Sequence, residues 1–332
     1  MKKPRAVLIS DIHFNLTTYK IAATALKLAL NKAEKLKVPL IIAGDLHDTK
    51  SNLRSECVDE LISILSQAEV QVRIIPGNHC KTNVNSDDHA LNFLQPYADI
   101  ISQPTCVDDL WFIPYQHDPD KLLQTLRYIP EGSTIIAHQG VQGAKMGHYT
   151  QDTSSLPREA YKDFRVISGH YHQAQDIKCG RPRKGAVGLF SFLGNPFTLN
   201  FGEANDGPKG YAVLYKDGSL ERIPTNLRKH IVVERTVDDL YAPIKDYRKG
   251  DLLWIKVVGP KTELDRIRKV ELSSKLGVES FKLDLYPSDS KKKTATLKVK
   301  KAPGDLLDGL IEDLSESLES KDALKALWRE LQ

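Results

Sequence analysis

Short apolar runs and longer amphipathic stretches alternate over the first half of the chain. Ala6 to Ser10, Leu40 to Ala43 and Val72 to Ile75 are compact runs of strand length, and between them lie helical periodicities over Tyr19 to Lys37 and Glu56 to Gln67. This βαβαβ rhythm predicts a parallel or mixed sheet with helices on its faces. Further strands are predicted at Asp99 to Ser102, Trp111 to Ile113, Thr134 to Ala137 and Arg165 to Ser168. Beyond Gly169 the helical pattern stops. Ala186 to Leu193 and Tyr211 to Tyr215 are strand-like runs between Gly, Pro and Asn turns, as a second sheet packed behind the first would require.

The pattern changes again after about Pro224. Ile231 to Val233, Asp251 to Val258, a helix over Thr262 to Leu276, Phe281 to Tyr286 and Thr294 to Val299 suggest a small βαββ module. Two amphipathic helical patterns close the chain, one carrying Leu306, Leu307, Leu310, Ile311 and Leu314, the other Leu324, Leu327, Trp328 and Leu331. The expected division is a first domain over residues 1–225, a capping module over 226–302 and C-terminal helices over 303–332.

With 332 residues, the chain is long enough for one catalytic domain and a smaller module. Its 41% hydrophobic and 27% charged residues suit a globular protein and argue against wholesale disorder. No stretch approaches the roughly 18 apolar residues of a membrane helix, and MKKPRAVLIS leads into a strand rather than a signal segment, so a cytoplasmic location is expected. Cys57, Cys80, Cys106 and Cys179 are far apart and form no C-x-x-C pair, which points to free thiols in a reducing compartment. A net charge of +4 does not announce a nucleic-acid binder, so a polyanion site would have to come from local clustering.

The chemistry lies at the strand ends. Asp11 and His13 follow the first strand, Asp45 the second, Asn78 and His79 the third, His138 the run Thr134 to Ala137, and His170 and His172 the run Arg165 to Ser168. In open α/β sheets functional groups gather beyond the carboxyl ends of the strands. Imidazole, carboxylate and amide oxygen together favour manganese, iron or zinc, whereas an all-oxygen site favours magnesium or calcium. Gly44, Gly77 and Gly169 precede the candidate ligands, where the missing Cβ allows a sharp turn and a close approach. Two cations about 3.5 to 4 Å apart, with Asp45 between them, would hold a phosphate and activate a water for in-line hydrolysis.

Asp11-Ile12-His13, Gly44-Asp45-Leu46-His47-Asp48, Gly77-Asn78-His79, Ala137-His138 and Gly169-His170-Tyr171-His172 together resemble the calcineurin-like metallophosphoesterase superfamily, over roughly residues 5 to 215. The resemblance implies an α/β (α+β) fold, a four-layer β-sandwich flanked by helices. It also implies that Asp11, His13 and His172 hold one metal, that Asn78, His138 and His170 hold the other, and that Asp45 bridges. His79 would be the non-ligand histidine that protonates the leaving oxygen or stabilises the developing charge, with Asp48 beside it as a supporting residue behind the ligands. The family's Gly-Asn-His is usually followed by Asp. Cys80 stands there instead, leaving the group that orients His79 open, with Asp87 or Asp88 as candidates.

A narrower likeness follows from Leu193-Gly194-Asn195-Pro196, Phe201-Gly202-Glu203 and Lys209-Gly210-Tyr211. These resemble the segment after the last metal histidines in SbcD/Mre-type DNA repair nucleases. With Asn205-Asp206 inserted and this overall length, the form is nearest to the phage recombination endonuclease subunits of that family. The likeness implies duplex exonuclease and single-strand endonuclease activity in DNA recombination and repair, two manganese ions, a homodimer, and an SbcC-like SMC-type ATPase partner engaged by the C-terminal helices. The setting would be a bacterial or phage-infected cell. Lys178, Arg181, Arg183 and Lys184 follow the metal histidines closely and are candidate contacts to DNA phosphates; the bland alternative is a solvated hairpin tip. Two other functions stay open: a phosphatase or phosphodiesterase of the same superfamily, and a non-catalytic scaffold for DNA ends or the ATPase.

Overall fold

The computed structural model describes residues 2–48, 52–83, 87–147, 150–180 and 188–288. Of these, the residues within 2–257 and 267–284 form one compact unit, and those of 258–266 and 285–288 belong to a second. The C-terminal helices of residues 303–332, the strand expected at Thr294 to Val299, and Arg181, Arg183 and Lys184 lie outside the described residues.

In chain order the first unit begins with β1 (Pro4–Ile9), α1 (Tyr19–Leu36), β2 (Leu40–Ala43), α2 (Ser55–Leu65), β3 (Val72–Ile75) and β4 (Asp99–Ile100). β5 (Thr105–Val107), β6 (Leu110–Ile113), α3 (Pro119–Tyr128), β7 (Thr134–Ala137), β8 (Arg165–Ser168), β9 (Gln175–Lys178) and β10 (Leu189–Phe192) follow. β11 (Gly210–Tyr215) and β12 (Leu220–Pro224) complete the two main sheets. β13 (His230–Thr236), β14 (Leu252–Gly259), α4 (Lys261–Leu264), α5 (Lys269–Leu276) and β15 (Phe281–Pro287) come after them.

The two main sheets share one design. The first runs β12-β11-β1-β2-β3-β4 and the second β5-β6-β7-β8-β10-β9. In each, four neighbouring strands are parallel and the remaining strands pair antiparallel: β11 on β1 and β12 on β11, then β5 on β6 and β9 on β10. Successive side chains of a strand point to opposite faces, and both faces are covered here, so the parallel strands are nearly continuous apolar runs. Leu40 and Ile42 of β2 face the helices with Val7, Ile9, Val72 and Ile74. Ile41 and Ala43 face the other way and meet Phe112, Ile136 and Ile167 of the second sheet.

Helices cover the outer faces. Ala22, Ala25, Leu26, Ala29 and Ala33 of α1 recur at helical spacing and are buried; Lys37 ends the helix in a left-handed conformation, its N–H donating to the carbonyls of Ala33 and Glu34. α3 lies on the other side with Leu122 and Leu126 buried, capped by Asp118, which accepts from the amides of Asp120 and Lys121. The layers are therefore helix, sheet, sheet, helix, as the α/β expectation held.

β13, β14 and β15 form a separate three-stranded sheet. Two departures concern the later part of the chain. The expected helix over Thr262 to Leu276 is two helices, because Arg268 takes an extended conformation (φ −109°, ψ 123°) that restarts the helix. Lys178, expected in a loop, is the exposed last residue of β9. All four cysteines are free, as expected. Among the described residues, no helix is long and apolar enough to cross a membrane.

Candidate metal centre

Five parallel strands, β1, β2 and β3 of one sheet and β7 and β8 of the other, deliver polar side chains from their carboxyl ends to one place. The loops after β1 and β2 run alongside each other: the amides of Asp11, His13 and Phe14 donate to the carbonyls of Gly44, Asp45 and Leu46. Asp11 (φ 52°), His13 (φ 50°), Asp45 (φ 47°) and His170 (φ 93°) all sit in the left-handed region. Non-glycine residues there carry strain of order 1–3 kcal/mol each and persist only where neighbouring structure holds them. A Cβ on Gly44 would lie 2.0 Å from His138 Nδ1, and one on Gly77 would lie 2.2 Å from Asp45 Oδ1. Both close approaches require glycine.

Among the described residues three groups of donors converge; one is His13, Asp48 and His79, and the other two form the centre. Of those two, Asp11, His13 and His172 make up the first, and Asp11, Asp45 and His138 the second. Asn78 and His170 join the second: Asn78 Oδ1 stands 3.1 Å from His138 Nε2 and 2.9 Å from His170 Nδ1. The carboxylates are anchored by backbone, with the amide of His170 donating to both oxygens of Asp11 (3.0 and 3.1 Å) and that of His79 to Asp45 Oδ1 (2.8 Å).

Imidazole tautomers decide what these groups can hold. His13 Nδ1 faces Asp48 Oδ1 at 3.1 Å and His172 Nδ1 faces Glu203 Oε1 at 2.8 Å, so in each ring Nδ1 carries the proton. Their Nε2 lone pairs then point at each other across 3.1 Å. His138 Nδ1 donates to the carbonyl of Ala43 (2.8 Å), which turns its Nε2 lone pair on Asp45 Oδ2 at 3.1 Å and on Asn78 Oδ1. Acceptor facing acceptor is repulsive unless a positive charge lies between. A divalent cation in each group supplies that charge, and N/O donors with carboxylate or carbonyl behind the imidazoles suit it.

The ionisation of the site carries the same demand. Burial opposes a charge on His138, yet Asp45 above all, with Asp11, lifts its pKa to about 9. His13 is also raised against burial, by its bond to Asp48 and the charges of Asp45 and Asp11. Burial alone would raise Asp45, but His138, His13 and His79 hold its carboxyl far below the ordinary range. Burial and then His138 push His170 down to about 4. An acidic cluster that draws protons onto buried imidazoles is a place for cations.

His79 stands beside the two groups of the centre rather than within their closest contacts. Its Nδ1 donates to the backbone carbonyl of Asp48 (2.9 Å), and its ring meets that of His13 edge-on at 4.9 Å. The orienting group is thus Asp48, not Asp87, which pairs with Lys81 and Lys121. Cys80 is fully buried and its thiol is pushed up to about 12, first by burial. Asp48 serves both histidines, taking His13 Nδ1 on its carboxylate and His79 Nδ1 on its carbonyl.

Glu203 is the site residue that the sequence did not single out for a role. Besides His172, it accepts from Asn195 Nδ2 (2.9 Å), from the amide of Leu199 (3.1 Å) and from Lys209 Nζ (3.1 Å). Burial would raise its pKa, but His172 and Lys209 hold it near 2. A cleft of about 470 Å3, lined by Asp45, Asn78, His79, His170, His172 and Glu203 among others, opens over the two groups.

A family model described as calcineurin-like phosphoesterase matches residues 4–174, just over half of the 332-residue chain. No curated protein matches the chain. Among solved structures, the nuclease MPE of Pseudomonas putida aligns over 66% of this chain and 88% of its own, with 16% identity and a TM-score of 0.32. An archaeal phosphodiesterase aligns over 66% of this chain and 98% of its own, with 14% identity and a TM-score of 0.34.

Proposed function

The chain belongs to the calcineurin-like phosphoesterase family, and from that premise we propose that this metal-dependent phosphoester hydrolase is a DNA nuclease. The hydrolase part is carried by one observation: imidazole Nε2 lone pairs that face other acceptors across about 3.1 Å at the ends of five strands. In this reading Asp11, His13 and His172 hold one cation, Asn78, His138 and His170 hold the other, and Asp45 lies between. His138 and His13 both act on the Asp45 carboxylate, which supports the bridging role. Manganese fits the mixed imidazole, carboxylate and amide donors.

Two divalent ions in such a site supply Lewis acidity toward the phosphate and a water of lowered pKa. The protein does the rest. The backbone amides of His79 and His170 keep Asp45 and Asp11 from turning away, and the left-handed loops are pinned by the bonds between the β1 and β2 ends. With Nδ1–H committed to the Asp48 carbonyl, His79 in its imidazolium form would present Nε2–H to the leaving oxygen and hand over that proton as the P–O bond opposite the attacking water breaks, leaving a neutral ring.

Two features support DNA as substrate. Glu203, Asn195 and Lys209, from the segment whose form resembles SbcD-type nucleases, are joined to His172: Glu203 holds its ring, and Lys209 Nζ donates to its carbonyl at 3.0 Å. Lys178 is exposed at the end of β9. The SbcC-like ATPase partner and the homodimer rest on that sequence likeness alone.

The test incubates the protein and manganese with end-labelled linear duplex, single-stranded circles and p-nitrophenyl phosphate, and repeats this with His79→Ala and Asp45→Ala. Cleavage of both DNAs, lost in each variant, is the expected result. Monoester turnover without DNA cleavage would overturn the nuclease reading in favour of a phosphatase. Inactivity on every substrate, even with the ATPase supplied, would overturn the enzyme reading in favour of a scaffold.

A further inference from the structure

A second cavity of about 330 Å3 lies beside the metal cleft, and Asp206 lines both. Four cationic residues, Lys209, Arg228, Lys229 and Arg248, line it, and Asp206 is its one carboxylate. That carboxylate is already matched, since Lys209 Nζ lies 2.7 Å from it. Arg248 is also engaged: its terminal nitrogens donate to the carbonyls of Asn226 (3.0 Å) and Leu227 (2.9 Å), and Asp251 lies 3.8 Å from its Nε.

Arg228 differs from these. Its Nε is buried without a hydrogen-bond partner, and no carboxylate among the described residues pairs with its guanidinium or with the ammonium of Lys229. A buried unpaired donor on a charged group calls for a ligand, an ion or a water. The field of this charge reaches its neighbours: His230, which burial already holds below the ordinary imidazole range, is lowered further by Arg228.

We propose that this cavity is an anion subsite that takes a backbone phosphate of the nucleic-acid strand lying in the metal cleft. A guanidinium presents a planar fork of donors that matches two phosphate oxygens, and Lys229 adds a point charge beside it. The shared wall orders the two sites along one path. The segment from Asn200 to Lys209 carries Glu203, which holds His172 on the cleft side, and Lys209, which borders the cavity. A strand whose scissile phosphate sits over the metal groups passes that wall and presents a neighbouring phosphate to Arg228. Phe197, Pro208 and Leu227 leave apolar wall for the sugar or base that comes with it. The proposal rests on the nuclease reading.

The experiment measures binding of fluorescent single-stranded and duplex DNA to the full chain in EDTA over a series of salt concentrations. Arg228→Gln, Lys229→Gln, the double variant and Arg228→Lys are compared with the wild type. Turnover of bis-p-nitrophenyl phosphate in manganese and the melting temperature control for folding, because so small an ester reaches only the metal groups. The double variant is expected to bind DNA about tenfold or more weakly, and its slope of log K against log salt to fall by about one, for the one phosphate no longer neutralised. Arg228→Lys is expected to keep the wild-type slope.

A slope and affinity unmoved by the double variant, in a protein whose wild type cleaves DNA, would overturn the subsite and leave the nuclease reading intact. A wild type that turns over the small ester but neither binds nor cuts DNA would overturn that reading and the strand assignment together. Calorimetric binding of AMP, lost in Arg228→Gln, would in that case reassign the cavity to a free phosphomonoester.

Discussion

On one side of the cleft the imidazoles lean on carboxylates: His13 on Asp48 and His172 on Glu203, with the His172 side chain 31% exposed. On the other side they lean on backbone and rings: His138, fully buried, donates to the Ala43 carbonyl, and His170 lies between Tyr115 (ring centroids 5.7 Å apart) and Tyr171 (4.8 Å). A carboxylate behind a ring makes it a stronger donor, but only while the carboxylate stays charged and in place. A carbonyl inside a parallel sheet cannot be altered by any side-chain change. The first side is therefore tunable and vulnerable, while the second is as durable as the fold around it.

The contrast is tested hardest at Asp45, which the proposed function sets between the two cations. Asp45→Asn keeps the shape but removes the charge that His138, His13 and His79 all act on. The loss of several kcal/mol of charge stabilisation corresponds to a fall of about 10^3-fold in kcat on bis-p-nitrophenyl phosphate, with weaker occupancy of both cations in a manganese titration. Activity within tenfold of the wild type would show that the sides work independently and that Asp45 is not their link.

The place of Asp45 just after β2 was legible in the sequence, as were most of the strands. β2, β3, β7 and β8 are four-residue strands each built on buried apolar residues (Leu40, Ile41, Ile42 and Ala43; Val72, Ile74 and Ile75; Ile135, Ile136 and Ala137; Val166 and Ile167), and each leads to a candidate ligand within a few positions. What supports the ligands was harder to see. Glu203 stands 31 residues from His172, and their meeting depends on a turn through Asn195 that no local pattern encodes. The partner of His79 is a main-chain carbonyl, which residue identity cannot signal; the sequence offered the carboxylates of Asp87 or Asp88, and Asp87 binds lysines instead. α3 went unseen although Asp118-Pro119 is a helix start with a mechanism, because only Leu122 and Leu126 of its ten residues are buried. β5, β9 and β12 are short, largely exposed and at sheet edges, where alternation has little core to face.

The next effect in size sharpens the difference between the sides. Glu203→Gln removes a charge and places an amide NH2 where Oε2 now accepts from Asn195, Leu199 and Lys209, so donor would face donor. His172 then leans on an uncharged amide oxygen that its other contacts no longer hold in place. The expected outcome is a 10- to 100-fold weaker manganese dependence of activity, with kcat recovered at excess metal. One of two binding steps should shift in calorimetry while the other stays in place. A change in kcat that excess metal does not repair would mean that Glu203 acts on the substrate and not through His172.

The matching change on the other side is smaller and of another kind. The Tyr171 hydroxyl donates to Asp152 Oδ2 at 2.6 Å, and the same carboxylate caps the loop by accepting from the amides of Ser154 and Ser155. Tyr171→Phe keeps the ring beside His170 but leaves one oxygen of a buried carboxylate without its donor. The expected cost is about 1–2 kcal/mol of stability, seen as a lower midpoint in urea. Manganese affinity should not move, because nothing behind the lone pairs of His138 and His170 has changed. If Tyr171→Phe weakened metal binding as strongly as Glu203→Gln, ring packing would be tuning the ligands as the carboxylates do, and the two sides would no longer differ in kind.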